Sequence, residues 1–256
     1  MLLAIDIGNT NVTLGVFEGE DLKGTWRFAA DPKKMPDEYA VQLMTLLPLS
    51  GIDLSTIKDA VMCSSVPTLV VTFEELCQRY YGVKPLTVGA GIKTGIRIRY
   101  ENPREVGADR VADAVAAFRM YGAPLIVVDC GTAIVFDAVT AEGDYLGGAI
   151  APGINLALNA LVSGTSMLRG VELIRPKQAI GRNTVNSIQS GIIFGYVGLV
   201  EGLVARFKEE LGGTAKVIAT GGLAHILAHE SSVIEVVEPD LTLHGLRIIH
   251  ELNREP

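Results

Sequence analysis

The chain contains the same short pattern twice, and this repeat limits its fold more than any other feature. In each copy an apolar strand ends in Asp-x-Gly, a tight turn follows, and a second β-rich strand comes next. The acidic residues of the two copies are Asp6 and Asp129, and each copy continues into a third extended segment and a helical stretch. The repeat therefore predicts two related α/β domains, 1–121 and 122–256, with a cleft between them. Two unrelated apolar hairpins are the alternative interpretation.

Composition and charge narrow the class of protein. Hydrophobic residues make up 48% of the 256 residues, which is enough for a substantial buried core. No run of eighteen apolar residues occurs and no basic segment opens the chain, so neither a membrane span nor a secretory signal is expected. The three cysteines are widely separated, which favours a reduced, cytoplasmic protein. A net charge of −7 disfavours nonspecific binding to nucleic acid or anionic membrane.

Apolar spacing and turn residues place the other elements. Helices are predicted over 36–47, 67–81, 107–121, 183–211 and 241–252, and strands over 59–63 and 216–220. The long fourth helix contains Gly191, Gly195, Gly198 and Gly202, a spacing that indicates close packing against a neighbour. Its stretch Ser187–Leu203 is too apolar for a free surface, which predicts a homodimer.

The first Asp-x-Gly turn carries groups suited to phosphate. The bend exposes several backbone N–H groups together, and Gly8 allows the backbone to approach an anion closely. Asp6 would repel phosphate but is suited to Mg²⁺, bound through water. Side-chain amides and hydroxyls are supplied by Asn9, Thr10, Asn11 and Thr13. An ordinary hairpin, with Asp and Asn as turn formers, is the alternative.

The second turn, Asp129–Thr132, supports the same interpretation, because a cleft enzyme needs phosphate contacts on both lobes. Thr132 can donate a hydrogen bond to a phosphate oxygen, and Asp129 can ligate a cation. Cys130 is expected to be a small buried hydrophobe. After a later strand, Gly221-Gly222 offers bare backbone to an adenine or ribose, although a plain strand-to-helix turn has the same residues.

Asp109 is the candidate general base. It follows Gly107 in the first turn of a predicted helix, where the helix dipole favours a carboxylate by about 0.3–1 kcal/mol. Stabilising that helix is one interpretation. The other is accepting a hydroxyl proton during phosphoryl transfer, whose loose transition state needs little prior deprotonation. Five basic and three acidic residues between Lys93 and Arg110 leave an excess of two positive charges, which suits either an anionic substrate or a solvated surface.

Two other kinds of site are disfavoured. His225 and His229 would share one helix face, but neither an HExxH pattern nor a third ligand accompanies them, so zinc is not expected. The pattern GxxxxGK[ST] does not occur, which excludes a P-loop.

Four separated segments resemble, in order and spacing, those of type III pantothenate kinases. They are Asp6–Thr13, Gly107–Arg110, Asp129–Ala133 and Ile180–Thr184. The resemblance runs from Met1 to about Leu252 and implies a two-lobed actin/hexokinase-like (ribonuclease H-like) fold with duplicated domains. It also implies a cytoplasmic homodimer that uses ATP to convert pantothenate to 4′-phosphopantothenate, the first step of coenzyme A synthesis. The segment Ser166–Arg169 lacks the proline that the family usually carries after the leucine.

The resemblance further implies roles for individual residues. ATP is expected at Asp6, Ile7, Gly8, Asn9, Thr10, Asn11, Val12, Thr13 and Thr132. Pantothenate is expected at Tyr100, Gly107, Ala108, Asp109, Arg110 and Thr184, the last of which helps to complete the pocket in the dimer. Asp109 is implied as the proton acceptor, and Asp129 as the ligand of a monovalent cation, K⁺ or NH₄⁺. Mg²⁺ would accompany the ATP phosphates.

Two rival classes share part of this pattern. Members of the family have also been described as accessory factors for transcription, so a nucleotide-binding regulator is one alternative. Carboxylates at both Asp6 and Asp109 argue against it, because a mere binder needs neither a base nor a metal. An actin-like or chaperone-like ATPase is the other alternative, but such chains are much longer than 256 residues.

Overall fold

A computed structural model describes residues 1–254. Its strands are β1 (Leu2–Ile7), β2 (Asn11–Glu18), β3 (Asp21–Ala29), β4 (Asp59–Ser64), β5 (Leu86–Thr87), β6 (Arg97–Ile98), β7 (Leu125–Cys130), β8 (Ala133–Val139), β9 (Asp144–Pro152), β10 (Lys216–Thr220) and β11 (Val236–Val237). Its α-helices are α1 (Pro36–Leu49), α2 (Pro67–Leu76), α3 (Ala108–Tyr121), α4 (Ile154–Ser163), α5 (Thr184–Glu210), α6 (Ala224–Glu230) and α7 (Leu241–Asn253). By packing, the chain divides into two compact units. Unit 1 comprises Met1–Ala116 with the residues from Leu241 onward, and unit 2 comprises Ala117–Asp240.

Unit 1 contains a mixed sheet with the strand order β3-β2-β1-β4-β5. Strand β1 is antiparallel to β2 and parallel to β4. Both faces of β1 are covered, because Leu3 and Ile5 belong to a core cluster with α1 and α2, whereas Leu2 and Ala4 belong to a second cluster with α3 and α7. Burial on both faces explains why this strand is a continuous apolar run rather than an alternating one.

Unit 2 repeats this plan with the strand order β11-β10-β7-β8-β9. Strand β7 is antiparallel to β8 and parallel to β10, as β1 is to β2 and β4. Its core joins Ile126 and Val128 of β7 to Val200 and Val204 of α5. Cys130 lies in this core with 1% of its surface exposed, which confirms that it is a small buried hydrophobe.

The C-terminal helix packs where the sequence division does not place it. Residues 241–252 fall in the second predicted domain, yet α7 shares a buried cluster with β1, β4 and α3 of unit 1. Gly245 permits this approach, because a Cβ there would overlap the backbone of Ala112. The hydroxyl of Thr242 also donates to the carboxylate of Asp113 at 2.6 Å. The boundary at residue 121 stays a prediction for the duplicated domains.

Helix α5 has the length and apolar composition of a membrane span, the single such helix in the described part of the chain. A core helix of a globular protein can have the same length and apolar composition. One face of α5 is buried in the core of unit 2, including Ile193, Val200 and Val204. No span is predicted from the sequence because no run of eighteen apolar residues occurs, and the partly buried position of α5 agrees with a core helix.

Candidate active site

The first Asp-x-Gly turn joins β1 to β2. The N–H of Gly8 donates to the carbonyl oxygen of Asn11 at 2.9 Å, so this donor is used inside the turn. Ile7 and Val12 are fully buried. The side chains at the tip are solvent-exposed, namely Asn9, Thr10 and Asn11. The polar groups expected to contact phosphate therefore lie at the surface of a turn whose flanks are core.

Two neighbouring segments hold this turn through the backbone. The N–H of Ala30, directly after β3, donates to the carbonyl oxygen of Thr10 at 2.9 Å. The N–H of Ser65, directly after β4, donates to the carbonyl oxygen of Ile7 at 2.9 Å. The turn is thus fixed at both ends by the strands that flank it in the sheet.

The second turn is held by the corresponding bonds in unit 2. The N–H of Gly153, directly after β9, donates to the carbonyl oxygen of Thr132 at 3.1 Å. The N–H of Leu223, shortly after β10, donates to the carbonyl oxygen of Cys130 at 3.2 Å. The duplication seen in the sequence therefore extends to the hydrogen bonds that shape each turn.

A row of polar side chains crosses the sheet of unit 1 at Asp6. Asp6 lies opposite Thr13 on β2 and opposite Cys63 on β4, and Thr13 lies opposite Arg27 on β3. The Cys63 thiol donates to Oδ1 of Asp6 at 3.3 Å. Burial, followed by the charges of Asp6 and Asp109, raises the pKa of Cys63 well above its ordinary value, so the thiol stays protonated and remains a donor.

The charge of Asp109 affects the pKa of Asp6. Burial raises the pKa of Asp6 from 3.8 to about 6, and the charge of Asp109 contributes in the same direction. The hydrogen bond from Cys63 and the charge of Arg27 act against this rise. Two carboxylates that the sequence predicts for one site, 103 positions apart in the chain, therefore lie within electrostatic reach of each other.

Asp109 lies in the first turn of α3 and is partly buried. Its Oδ1 accepts a hydrogen bond from the N–H of Arg110 at 2.8 Å, and the carboxylate folds back over Gly107. A Cβ on Gly107 would overlap that carboxylate oxygen. Gly107 therefore makes room for the Asp109 side chain as well as freeing the chain before the helix. Ala108, Arg110 and Tyr100 are partly buried in the same unit.

Two glycines fit closely around the second turn. Gly221 has φ +88°, and a Cβ there would overlap the carboxylate of Asp129 and the backbone of Cys130. A Cβ on Gly153 would overlap the backbone of Thr132. The sequence leaves Gly221 open between a nucleotide contact and a plain strand-to-helix turn, and its close fit gives it a packing role. Gly153 was not predicted, because its only signal was a Pro-Gly pair before helix α4.

Thr184 begins α5 and is exposed. It lines a cavity of about 720 Å³ with Leu161, Leu168 and Ser187 of unit 2. Asn183 caps the helix, accepting a hydrogen bond from the N–H of Asn186 at 2.8 Å. The helix start is therefore well defined, and Thr184 faces a space large enough for a small ligand.

The donor sets around Asp6 and Asp129 suit cations that take most of their ligands from water and phosphate. Among residues 1–254 no cluster of three or more His, Cys, Asp or Glu side chains forms a protein cage for a metal. Mg²⁺ is commonly bound by one or two carboxylates together with substrate phosphates. The neighbouring charges of Asp6 and Asp109 would be relieved by such an ion, and the Asp129 carboxylate lies close against the backbone of Gly221.

Comparison with solved structures defines the class of protein. The chain has the actin/hexokinase-like fold that the sequence predicts, with two mixed α/β sheets and the repeated turn. A chain described as a Baf family transcriptional activator from Campylobacter jejuni aligns over 98% of both chains with a TM-score of 0.64 and 19% identity. The activator of 2-hydroxyisocaproyl-CoA dehydratase from Clostridium difficile, with bound ADPNP, aligns over 98% of this chain and 95% of its own, with a TM-score of 0.53 and 11% identity. At these identities the likeness concerns the fold alone.

Sequence comparison identifies the family. Residues 2–206 match the family described as type III pantothenate kinase. A type III pantothenate kinase from Moorella thermoacetica is 51% identical over 253 residues, covering 99% of this chain and 100% of the relative. The chain belongs to the type III pantothenate kinase family, which confirms the resemblance of its four segments.

Proposed function

We propose that this protein transfers the γ-phosphoryl group of ATP to pantothenate and so carries out the first step of coenzyme A biosynthesis. The observation that carries the proposal is the match of residues 2–206 to the pantothenate kinase family, in a chain in which the charge of Asp109 contributes to the raised pKa of Asp6. One carboxylate suits a proton acceptor and the other lies at a phosphate-type turn. A nucleotide-binding regulator would not require both.

Asp109 is the proposed base. The primary hydroxyl oxygen of pantothenate attacks the γ-phosphorus, the bond from phosphorus to the β,γ-bridging oxygen breaks, and ADP leaves. The hydroxyl proton passes to the Asp109 carboxylate, which is held by the N–H of Arg110 and sits over Gly107. Ala108, Arg110, Tyr100 and Thr184 are the remaining proposed pantothenate contacts. Positioning matters more than basicity here, because the transition state is loose.

The two Asp-x-Gly turns are the proposed phosphate contacts. In the first turn, the exposed polar tip and the backbone of Ile7, Gly8 and Val12 would face ATP; in the second, Thr132 would donate its hydroxyl. Asp6, with Thr13 beside it, would favour Mg²⁺ through water, and Asp129 would ligate K⁺ or NH₄⁺. When bound, these cations offset the negative charge of the phosphates.

A product assay tests the function. Purified protein is given ATP, Mg²⁺, K⁺ and, one at a time, a panel of small hydroxyl-bearing vitamins. We expect ADP release when the vitamin is pantothenate and not when it is another member of the panel. Mass spectrometry should then show pantothenate heavier by one phosphoryl group. ADP release that ignores pantothenate, or that follows another vitamin, would contradict the proposal.

We also propose a homodimer formed through the glycine face of α5. A Cβ at Gly191, Gly195 or Gly198 would meet nothing within 4 Å, so no other described segment of this chain fills that face. Exposed apolar side chains lie in the same unit, including Leu156 and Val185. Open backbone beside apolar side chains is typical of an interface between helices.

Light scattering tests the dimer. We expect a mass of about twice 27.3 kDa at micromolar concentration. Gly195→Glu places a charge on the face and should give a monomer, whereas Gly89→Glu, at another glycine with open space, should not. A wild-type monomer with full turnover would contradict the proposal.

We infer a cytoplasmic location without membrane or nucleic-acid partners. All three thiols, Cys63, Cys77 and Cys130, are buried and unpaired. The net charge of −7 opposes association with phosphate-rich polymers and anionic lipid. Fractionation of cells should place the protein in the soluble fraction.

A further inference from the structure

One side chain links helix α5 to the second Asp-x-Gly turn. The hydroxyl of Tyr196, in the middle of α5, donates to the carbonyl oxygen of Pro152 at 2.8 Å and lies 3.4 Å from the carbonyl oxygen of Gly153. Tyr196 is 8% exposed, so this hydroxyl is largely shielded from water. Burial raises the pKa of Tyr196 above its ordinary value, so the hydroxyl keeps its proton and acts as a donor.

The acceptor segment is itself in contact with Thr132. Gly153 donates its N–H to the carbonyl oxygen of Thr132 at 3.1 Å and has no room for a Cβ on that side. Its own carbonyl accepts the first bond of α4, from Ala157 at 2.9 Å. No side chain caps the start of α4. The Tyr196 hydroxyl is therefore the side-chain group that holds this junction from the side of α5.

We propose that Tyr196 is a positioning residue for ATP: its hydroxyl fixes the Pro152–Gly153 backbone, which in turn fixes Thr132. The residue acts through the turn and does not itself touch substrate. The inference rests on the proposed ATP-binding role of Thr132. Tyr196 lies more than forty positions from Gly153 in the chain, so a turn motif in the sequence would not reveal this contact.

Tyr196→Phe tests the proposal, because it removes one oxygen and keeps the ring that packs in the core. Loss of one neutral hydrogen bond typically changes an equilibrium by about 2-fold to 10-fold. We expect the KM for ATP to rise within that range, while the KM for pantothenate stays within about 2-fold. The matched control is Tyr121→Phe, which removes the hydroxyl that donates to Glu238 at 3.0 Å elsewhere in unit 2. It should leave both KM values unchanged.

A double-mutant cycle separates positioning from general destabilisation. If Tyr196 acts through Thr132, then Thr132→Ala combined with Tyr196→Phe should have the same KM for ATP as Thr132→Ala alone. Additive effects, or equal increases in both KM values, would overturn the proposal. An unchanged KM for ATP in Tyr196→Phe would overturn it as well. If Thr132→Ala nevertheless raised that KM, the ATP site itself would stand.

Discussion

The two Asp-x-Gly turns share one backbone frame but differ in the side chains around it. Each turn accepts one N–H from the residue after the third strand and one from the segment after the parallel strand. In unit 1 the first donor is Ala30, and in unit 2 it is Gly153, which has no space for a methyl group. Around Asp6 stand a thiol and a second carboxylate, whereas Asp129 has the bare backbone of Gly221 against it.

The two units share the backbone hydrogen bonds of the turn and differ in the side chains around it. Hydrogen bonds between backbone groups depend on strand geometry and so recur in both units. Side chains are free to diverge once that frame exists. Unit 1 has the neighbouring carboxylates Asp6 and Asp109, and unit 2 has a turn whose carboxylate, Asp129, packs against the backbone of Gly221. The following predictions test this division.

The largest effect is expected for the side chain specific to unit 1. Asp109→Asn keeps the shape and the helix start but removes the proton acceptor, so kcat should fall by about 10²–10⁴-fold. Nucleotide affinity should change little. Steady-state kinetics, nucleotide titration and thermal unfolding of the one variant are the measurements. Near-normal turnover with only a changed melting temperature would show that Asp109 merely stabilises α3.

The next effect concerns the carboxylate of unit 2. Replacing all K⁺ and NH₄⁺ with a bulky organic cation should abolish most turnover, because Asp129 and ATP would then face each other without charge compensation. Turnover of Asp129→Asn should respond less to K⁺ than that of the wild type. Full wild-type activity in the organic cation would remove this role from Asp129.

The third prediction exchanges the residues that differ at equivalent positions. Gly153→Ala forces a methyl group onto the Thr132 backbone and should cost about 1–3 kcal/mol of stability while raising the KM for ATP. Ala30→Gly is the reverse exchange in unit 1. It adds backbone freedom and removes a partly buried methyl group that packs against the core, so about 1–2 kcal/mol should be lost with the KM for ATP unchanged. Equal effects of both variants on that KM would contradict the distinction.

The smallest effect is a pH-dependent change in stability at Asp6. The pKa of Asp6 is about 6 in the folded protein and 3.8 in the unfolded chain, so the folded state binds this proton more tightly. The contribution of protonated Asp6 to folding stability is complete below pH 3.8 and is lost as the pH rises through 6. The difference corresponds to about 1–3 kcal/mol once partial exposure is allowed for. Asp6→Asn should therefore melt higher than wild type at pH 8 but not at pH 4, despite losing activity. An equal difference at both pH values would contradict this charge penalty.

Local patterns in the sequence predict much of the fold. The strands around Asp6 and Asp129 follow from apolar runs that end in Asp-x-Gly, and helix α5 begins one residue from its predicted start. These features depend on neighbours in the chain. The position of Asp109 after Gly107 leaves its role open between base and helix stabiliser, and the family resemblance supports the first and adds Thr184.

Features created by contacts between distant residues were not predicted. Nothing local shows that Gly153 meets Thr132, that Cys63 donates to Asp6, or that α7 packs with β1 and β4. Burial likewise decides that Ile7 and Val12 belong to the core of unit 1. Such facts depend on tertiary packing, which one sequence does not display.

The position of α7 has a consequence for how the chain is made. A ribosome releases the N-terminal residues first, and domains generally fold as their residues emerge. All of unit 2 lies between Ala117 and Asp240, so it leaves the ribosome complete before α7 is finished. The β1–β4 face that α7 covers remains exposed on the nascent chain until then. Unit 1 is therefore synthesised first and completed last, and chaperones that hold apolar surface have the whole translation time of unit 2 in which to bind it.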